Sequence, residues 1–382
     1  MKRLFCAFLP VILLLAWLPV SVAAAPLEIK AKSALLMDVA TGTVLFEQNA
    51  HEALAPASVT KVMTLLLIME AIDSGAIGWN DMVTASETAA AKGGSQIYLK
   101  VGETMSVADM VKSIAVSSAN DCACAMAEHL CGSESAFVDK MNQRAQELGM
   151  ADTFFVNCTG LDDDADAARH KTSAHDIAIM SAQLLKNHPD IKKYTTIWMD
   201  TVRNGTFGLS NTNKLIRFYP GATGLKTGFT AKAGYCLSAS AQRDGMELVA
   251  VVMGAETSQD RFNACKSLLD YGFANYALIQ PSLEQLPTVS VKLGTANTVE
   301  AEPSGQSCLL IEKAQKNLVT TQITLEEQVT APVSQGQRLG TLTIKAGEQV
   351  IAQIPMVAKT GVPRLTFGDL FIKMLRYITM SK

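Results

Sequence analysis

Three short stretches of the chain carry residue types that could do chemistry together. Pro56-Ala57-Ser58-Val59-Thr60-Lys61 sets a hydroxyl and an amine three positions apart, on one face of a helix that opens here. Serine is a poor nucleophile until a base takes its proton, and a lysine buried against apolar neighbours can be neutral enough to be that base. The helix N-terminus adds partial positive charge where an oxyanion would form. Ser118-Ala119-Asn120 supplies a second hydroxyl able to pass a proton, and a carboxamide able to hold a substrate amide through both donor and acceptor. Lys226-Thr227-Gly228 places a cation beside a hydroxyl, a pair suited to a carboxylate, next to a glycine that lets the backbone approach a ligand. Taken singly, the first stretch reads equally as a capped helix with a solvated lysine, and the second as a polar turn between helices. A second Lys-Thr-Gly at Lys359-Thr360-Gly361 shows how cheap a tripeptide is; Val362-Pro363 follows it and ends a strand, so it reads as coincidence.

The elements around these stretches must position them. Residues 62–69 are apolar on every side, so the helix that starts near Pro56 and stops at Ser74-Gly75 belongs inside a domain. Residues 33–37 and 43–47 read as strands about a Thr41-Gly42 turn, giving a β-hairpin before that helix. Residues 75–102 read as a loop-rich excursion containing Gly93-Gly94-Ser95-Gln96. Ser106-Val107-Ala108-Asp109 is a helix-start signature. That helix ends near Val116, the next runs over residues 121–130 to Gly132, and Ser118 and Asn120 fall on the turn between them. Further helices pass through Phe137, Met141, Ala145 and Leu148 to Gly149, and from Ser173 to about Leu185. Residues 221–230, 235–242 and 247–253 read as a three-stranded antiparallel meander with Lys226 on its first strand.

At 382 residues, 48% hydrophobic and 18% charged, the chain is long enough for two domains and a large core. Residues 1–25 stand apart: Met1-Lys2-Arg3 is basic, residues 4–20 are apolar, and Ser21 to Ala25 are small, the pattern of an export signal cut between Ala23 and Ala25. Loss of Lys2 and Arg3 takes the formal charge from −3 to −5, which argues against nucleic acid as a partner. Of eight cysteines, Cys6 leaves with the signal and seven remain, an odd number with no Cys-x-x-Cys clip. Cys122, Cys124 and Cys131 fall in a helix, where buried structural thiols are expected in preference to a redox centre. The five histidines form no ligand pattern, and the acidic run 162–166 lacks the glycine and terminal glutamate of an EF-hand loop, so no metal is expected.

Past residue 277 the texture changes to short alternating runs, read as a small β-rich domain over 278–363 without a catalytic constellation. In the final segment, 364–382, Phe367, Leu370, Phe371, Met374, Leu375 and Ile378 recur at helical spacing, opposite Asp369, Lys373 and Arg376. At about sixteen residues this stretch is too short to span a bilayer, so an amphipathic helix lying in the membrane surface is expected. A helix packed on its own domain is the alternative.

In combination, Ser58-x-x-Lys61, Ser118-x-Asn120 and Lys226-Thr227-Gly228 resemble the set shared by penicillin-binding proteins and class A β-lactamases. Phe46-Glu47-Gln48-Asn49-Ala50, Leu148-Gly149-Met150, Asn211-Thr212-Asn213, Gly224-Leu225-Lys226-Thr227-Gly228-Phe229-Thr230 and Ala233-Gly234-Tyr235 sharpen the likeness. Over residues 27–277 the chain is similar to the D-alanyl-D-alanine carboxypeptidases, low-molecular-weight penicillin-binding proteins that trim peptidoglycan. The resemblance implies an α/β (α+β) transpeptidase-like domain over 26–277, an antiparallel sheet flanked by helices with an all-helical subregion, followed by the β-rich domain and the terminal helix. It implies that Ser58 is acylated by the D-Ala-D-Ala carbonyl with Lys61 as base, and that Ser118 relays the proton to the leaving D-alanine. Asn120 would hold the peptide amide, and Lys226 and Thr227, beside Gly228, the terminal carboxylate. The N–H groups of Ser58 and Phe229 would form the oxyanion hole. Implied partners are a peptidoglycan stem peptide ending in D-Ala-D-Ala and β-lactams that block Ser58, at the outer face of the cytoplasmic membrane, with no cofactor.

Two positions depart from relatives: Ala119, where some carry Gly or Asp, and Phe229, where some carry His. A class A β-lactamase would also need a glutamate for deacylation, and no Glu-x-x-Leu-Asn signature lies between Asn120 and Lys226. A catalytically idle wall-binding protein on the same fold remains as the other alternative.

Overall fold

The computed structural model describes residues 27–372 apart from 164, 165, 281, 282, 284, 306, 307 and 370. The expected export signal at 1–25 and the expected terminal helix beyond Ile372 lie outside the described residues.

The hairpin forms as its turn signal requires: β1 (Ser33–Asp38) pairs antiparallel with β2 (Val44–Gln48). It joins β3 (Ala222–Thr230), β4 (Gly234–Arg243) and β5 (Met246–Ala255) in one five-stranded antiparallel sheet of order β2-β1-β5-β4-β3. The first strand therefore pairs with the last of the five, with Leu35 opposite Val251. β5 is buried along its whole length. Its residues alternate between two cores: Val249, Val251 and Met253 face the larger helical one, while Leu248, Ala250 and Val252 face the helix α6 (Ser258–Asn275). A strand covered on both faces reads as a near-continuous apolar run, and residues 248–253 of this one do.

The larger core is built around α1 (Lys61–Asp73), in which every residue from Lys61 to Met69 is buried. A helix with no polar stripe has no solvent face, so other helices must cover it. These are α2 (Val107–Ser117), α3 (Asn120–Cys131), α4 (Glu134–Glu147) and α5 (Ala174–Asn187). Each apolar side chain of Leu or Met size buried here stabilises the fold by about 1.5–3 kcal/mol. Ser106, Ser133 and Ser173 cap α2, α4 and α5 by accepting the N–H of Asp109, Ala136 and Asp176. Gly132 ends α3 in the left-handed conformation.

Two details differ from the sequence reading. The first turn after Pro56 is a 3-10 helix, Ala57–Thr60, and the α-helix proper begins at Lys61. Ala57 has φ 48°, a value alanine rarely adopts, which the tight turn imposes. The excursion over 75–102 holds a strand, Met82–Thr84, that pairs with Thr104–Ser106 just after it, and a short helix, Glu87–Ala90. Elements of three or four residues are too short to show a period.

Strand Tyr276–Ile279 straddles the expected domain boundary and pairs with Leu309–Glu312. Beyond it, a six-stranded sheet includes Thr288–Lys292, Thr298–Pro303, Arg338–Ala346 and Gln349–Ala358 and encloses its own apolar core. Among the described residues, no helix is long and apolar enough to cross a membrane.

Candidate active site

Ser58 lies in the 3-10 turn and Lys61 opens α1, so one tightened turn brings their side chains together. Lys61 Nζ stands 2.9 Å from Ser58 Oγ and donates to the Thr159 carbonyl at 2.8 Å. The amine is fully buried, and burial lowers its pKa from 10.5 to about 7 against the opposing influence of Cys158 and Asp121. A neutral amine can keep its bond to Thr159 while its lone pair receives the Ser58 proton.

Thr159 has no counterpart in the sequence reading. Its turn is held by Asn157 Oδ1, which accepts the N–H of Thr159 at 3.2 Å and of Gly160 at 2.7 Å. Gly160 sits at φ 82°, and a Cβ there would lie 1.9 Å from the Ala57 carbonyl oxygen. Asn-x-x-Gly is a readable turn signal, but a carbonyl that receives the Lys61 amine has no side-chain signature.

Ser118 ends α2 at φ 66° and Asn120 opens α3. Asn120 Nδ2 donates to the Gly93 carbonyl and its own N–H to the Ser95 carbonyl, both at 2.7 Å. These bonds draw the Gly93-Gly94-Ser95 loop onto the turn. Ser118 Oγ and Asn120 Oδ1 are buried without a hydrogen-bond partner among the described residues. Leaving such a group unpaired costs about 1–3 kcal/mol, a cost natural folds keep where a ligand supplies the missing partner.

Lys226 and Thr227 are buried on β3. Lys226 Nζ donates to the Thr227 carbonyl at 3.0 Å. Burial first, then the positive charges of Lys61 and Arg261, push its pKa well below the usual lysine value. Lys61 therefore lies near enough for its charge to act on Lys226. Thr227 Oγ1 donates to Thr212 Oγ1 at 2.7 Å, and the Thr212 N–H donates to the Val116 carbonyl at 3.1 Å, so β3 is tied to the end of α2 beside Ser118. A Cβ on Gly228 would meet the Pro56 carbonyl oxygen at 2.7 Å and the Ser58 N at 3.0 Å. The glycine thus lets the strand lie directly against the Ala57–Thr60 turn. Arg261 Nη1 holds the Gly228 carbonyl from behind at 2.9 Å, and the Phe229 ring is exposed over Tyr235, centroids 4.2 Å apart.

All eight residues singled out in the sequence therefore belong to one connected region, reinforced by Thr159, Gly160, Thr212 and Arg261. The discarded Lys-Thr-Gly is remote in role: Lys359 pairs with Glu300 on the surface of the second sheet. Cys122 and Cys124 are buried as expected, whereas Cys131 is only partly covered, and all seven described cysteines are free thiols. Among the described residues, no group of three His, Cys, Asp or Glu could hold a metal.

Comparison with known proteins matches this arrangement. Residues 20–257 fit the family described as D-alanyl-D-alanine carboxypeptidase, and residues 283–364 fit the C-terminal domain of penicillin-binding protein 5. The chain is 43% identical over 379 residues to the D-alanyl-D-alanine carboxypeptidase DacF of Bacillus subtilis, covering 96% of each. The crystal structure of penicillin-binding protein 5 from Haemophilus influenzae superposes with a TM-score of 0.76 at 31% identity, covering 89% of this chain and 99% of that one. Penicillin-binding protein D2 of Listeria monocytogenes, solved in its ampicillin-bound form, matches with a TM-score of 0.59 at 32% identity, over 65% of this chain and all of that one (100%). With the site geometry and near full-length likeness in agreement, this chain belongs to the D-alanyl-D-alanine carboxypeptidase family of serine peptidases.

Proposed function

We propose that the protein removes the terminal D-alanine of peptidoglycan pentapeptide stems through an acyl-enzyme on Ser58. The observation that carries this reading is the buried, readily deprotonated amine of Lys61 at 2.9 Å from Ser58 Oγ. The stem's terminal carboxylate lies against the Lys226 ammonium and the Thr227 hydroxyl, and the anion restores the affinity for a proton that burial had weakened. The unpartnered Asn120 carboxamide oxygen accepts a peptide N–H of the stem. Lys61 takes the Ser58 proton as Oγ attacks the penultimate carbonyl, and the N–H groups of Ser58 and Phe229 receive the oxyanion. Ser118 passes the proton to the leaving amine, the C–N bond breaks, and D-alanine departs. Water then attacks the ester, with Lys61 again accepting a proton, and the shortened stem is released.

A β-lactam would enter the same route and remain on Ser58, as the ampicillin-bound Listeria relative supports. Export places this chemistry outside the cytoplasm, and residues 364–382 hold the enzyme to the membrane surface. Two features support that attachment. Thr366 and Asp369 cap the start of a helix by mutual hydrogen bonds, and the apolar side chains Phe367, Phe371 and Ile372 on it are exposed.

The deciding experiment is mass spectrometry after incubation with penicillin, alongside D-alanine release from a pentapeptide. A stable adduct on the peptide containing Ser58, and loss of both signals in Ser58→Ala, are expected. Rapid release of hydrolysed penicillin would favour a β-lactamase instead, and a folded protein without any adduct would leave a wall-binding role.

A further inference from the structure

An imidazole that the reaction above does not use lies behind the nucleophile turn. His170 is buried, with Nε2 2.8 Å from Thr60 Oγ1 and Nδ1 3.1 Å from the backbone N of Val156, whose N–H it accepts. A ring nitrogen that accepts a backbone N–H carries no proton itself, so the proton of the neutral ring is on Nε2 and is donated to Thr60. The Thr60 hydroxyl in turn donates to the Ala57 carbonyl at 2.9 Å. Ala57 immediately precedes Ser58, is held at φ 48°, and has its carbonyl pressed against Gly160. Val156, at the other end of the relay, leads into the turn whose Thr159 carbonyl receives Lys61. One ring therefore fastens both the segment that carries the nucleophile and the segment that orients its base.

We propose that His170 is a positioning residue for acylation: through Thr60 and Val156 it fixes the relative placement of Ser58 and Lys61 without touching substrate. The inference rests on the reading of Ser58 as the acylated nucleophile. An unfavourable backbone conformation such as that of Ala57 persists only where its surroundings over-determine it, and the relay runs donor to acceptor in a single direction onto that residue. A side chain of similar volume without nitrogens keeps the packing, including the edge-on contact with Phe155 at 5.7 Å, and breaks both ends of the relay. A shift of the reacting atoms by about 1 Å is enough to cost roughly 10²-fold in rate.

The test compares wild type, His170→Phe, His170→Gln, Thr60→Val and the double variant Thr60→Val/His170→Phe. Stopped-flow acylation by a fluorescent penicillin resolves the dissociation constant of the first complex from the rate constant of acylation. In His170→Phe the acylation step is expected to slow by about 10- to 100-fold while the dissociation constant stays within about twofold. The terminal amide of Gln reaches the position of Nε2, so His170→Gln recovers most of the loss. Thr60→Val alone slows acylation as His170→Phe does, and the double variant is no slower than the worse single one, because both changes cut the same relay. Acylation of His170→Phe at the wild-type rate overturns the proposal. So does a Gln variant that is no faster than Phe while both melt earlier to the same extent, which would mark a packing role. If His170→Phe does not fold, Thr60→Val decides: wild-type acylation there overturns the clamp. A wild-type protein that never labels on Ser58 refutes the acyl-enzyme reading itself, and the clamp falls with it.

Discussion

At the scale of single residues, reactivity comes from where two amines are kept. Lys61 works as a base only when neutral, and with its pKa near 7 the acylation rate should climb as pH rises through about 7. Lys226 must instead be protonated to hold a carboxylate, and its pKa is also lowered, so substrate capture should fail at higher pH. The rising limb of the kcat/KM profile is expected to belong to Lys61, with its midpoint near pH 7. A profile that keeps rising to the ordinary lysine range near pH 10 would contradict this assignment. The same burial has a consequence for stability. A lysine whose folded pKa lies below its unfolded value is charged in both states below pH 7, where the full cost of burying the ammonium acts. That cost declines as pH rises from about 7 toward 10.5, because only the unfolded chain then still binds the proton. Lys61→Met should therefore abolish acylation yet raise Tm by a few degrees at pH 6, with a smaller gain at pH 9, as followed by thermal unfolding.

At the scale of elements, the site depends on backbones that touch. Gly160 lies against the Ala57 carbonyl with no room for a methyl group and at a φ that disfavours any side chain. Gly160→Ala should cost roughly 2–4 kcal/mol in denaturant unfolding, and any folded fraction should acylate slowly because the Thr159 carbonyl moves with it. An alanine tolerated at that position without loss would mean the turn is not packed as described. Helix caps and the β-hairpin were legible because Ser106, Ser173 and Thr41-Gly42 act on neighbours a few residues away. Thr159 and Arg261 were not, because they work through a backbone carbonyl and a bond from behind the sheet, and Thr212, though part of a recognised stretch, gave no sign of its hydroxyl pair with Thr227. Such roles leave no local pattern.

At the scale of the whole molecule, the catalytic sheet and the second sheet are separate cores joined through the pairing of Tyr276–Ile279 with Leu309–Glu312. Chemistry and attachment should separate accordingly. Deleting residues 365–382 is expected to abolish sedimentation with membranes while leaving D-alanine release from a soluble pentapeptide unchanged. Unchanged sedimentation of the truncated protein would refute the surface-helix reading.

The sequence by itself determined which reactive groups exist and which of them are close along the chain. Ser58 and Lys61 are three apart, Ser118 and Asn120 flank one turn, and Lys226 and Thr227 are adjacent, all separations that local geometry fixes. Only the tertiary structure decided that these pairs meet. The pairing of β1 with β5 and the packing of β3 on the nucleophile turn bring distant segments to one place, and their contact removes water from Lys61. Spacing is a property of a few consecutive bonds, whereas desolvation is supplied by the rest of the chain, and it is desolvation that brings the Lys61 amine toward neutrality.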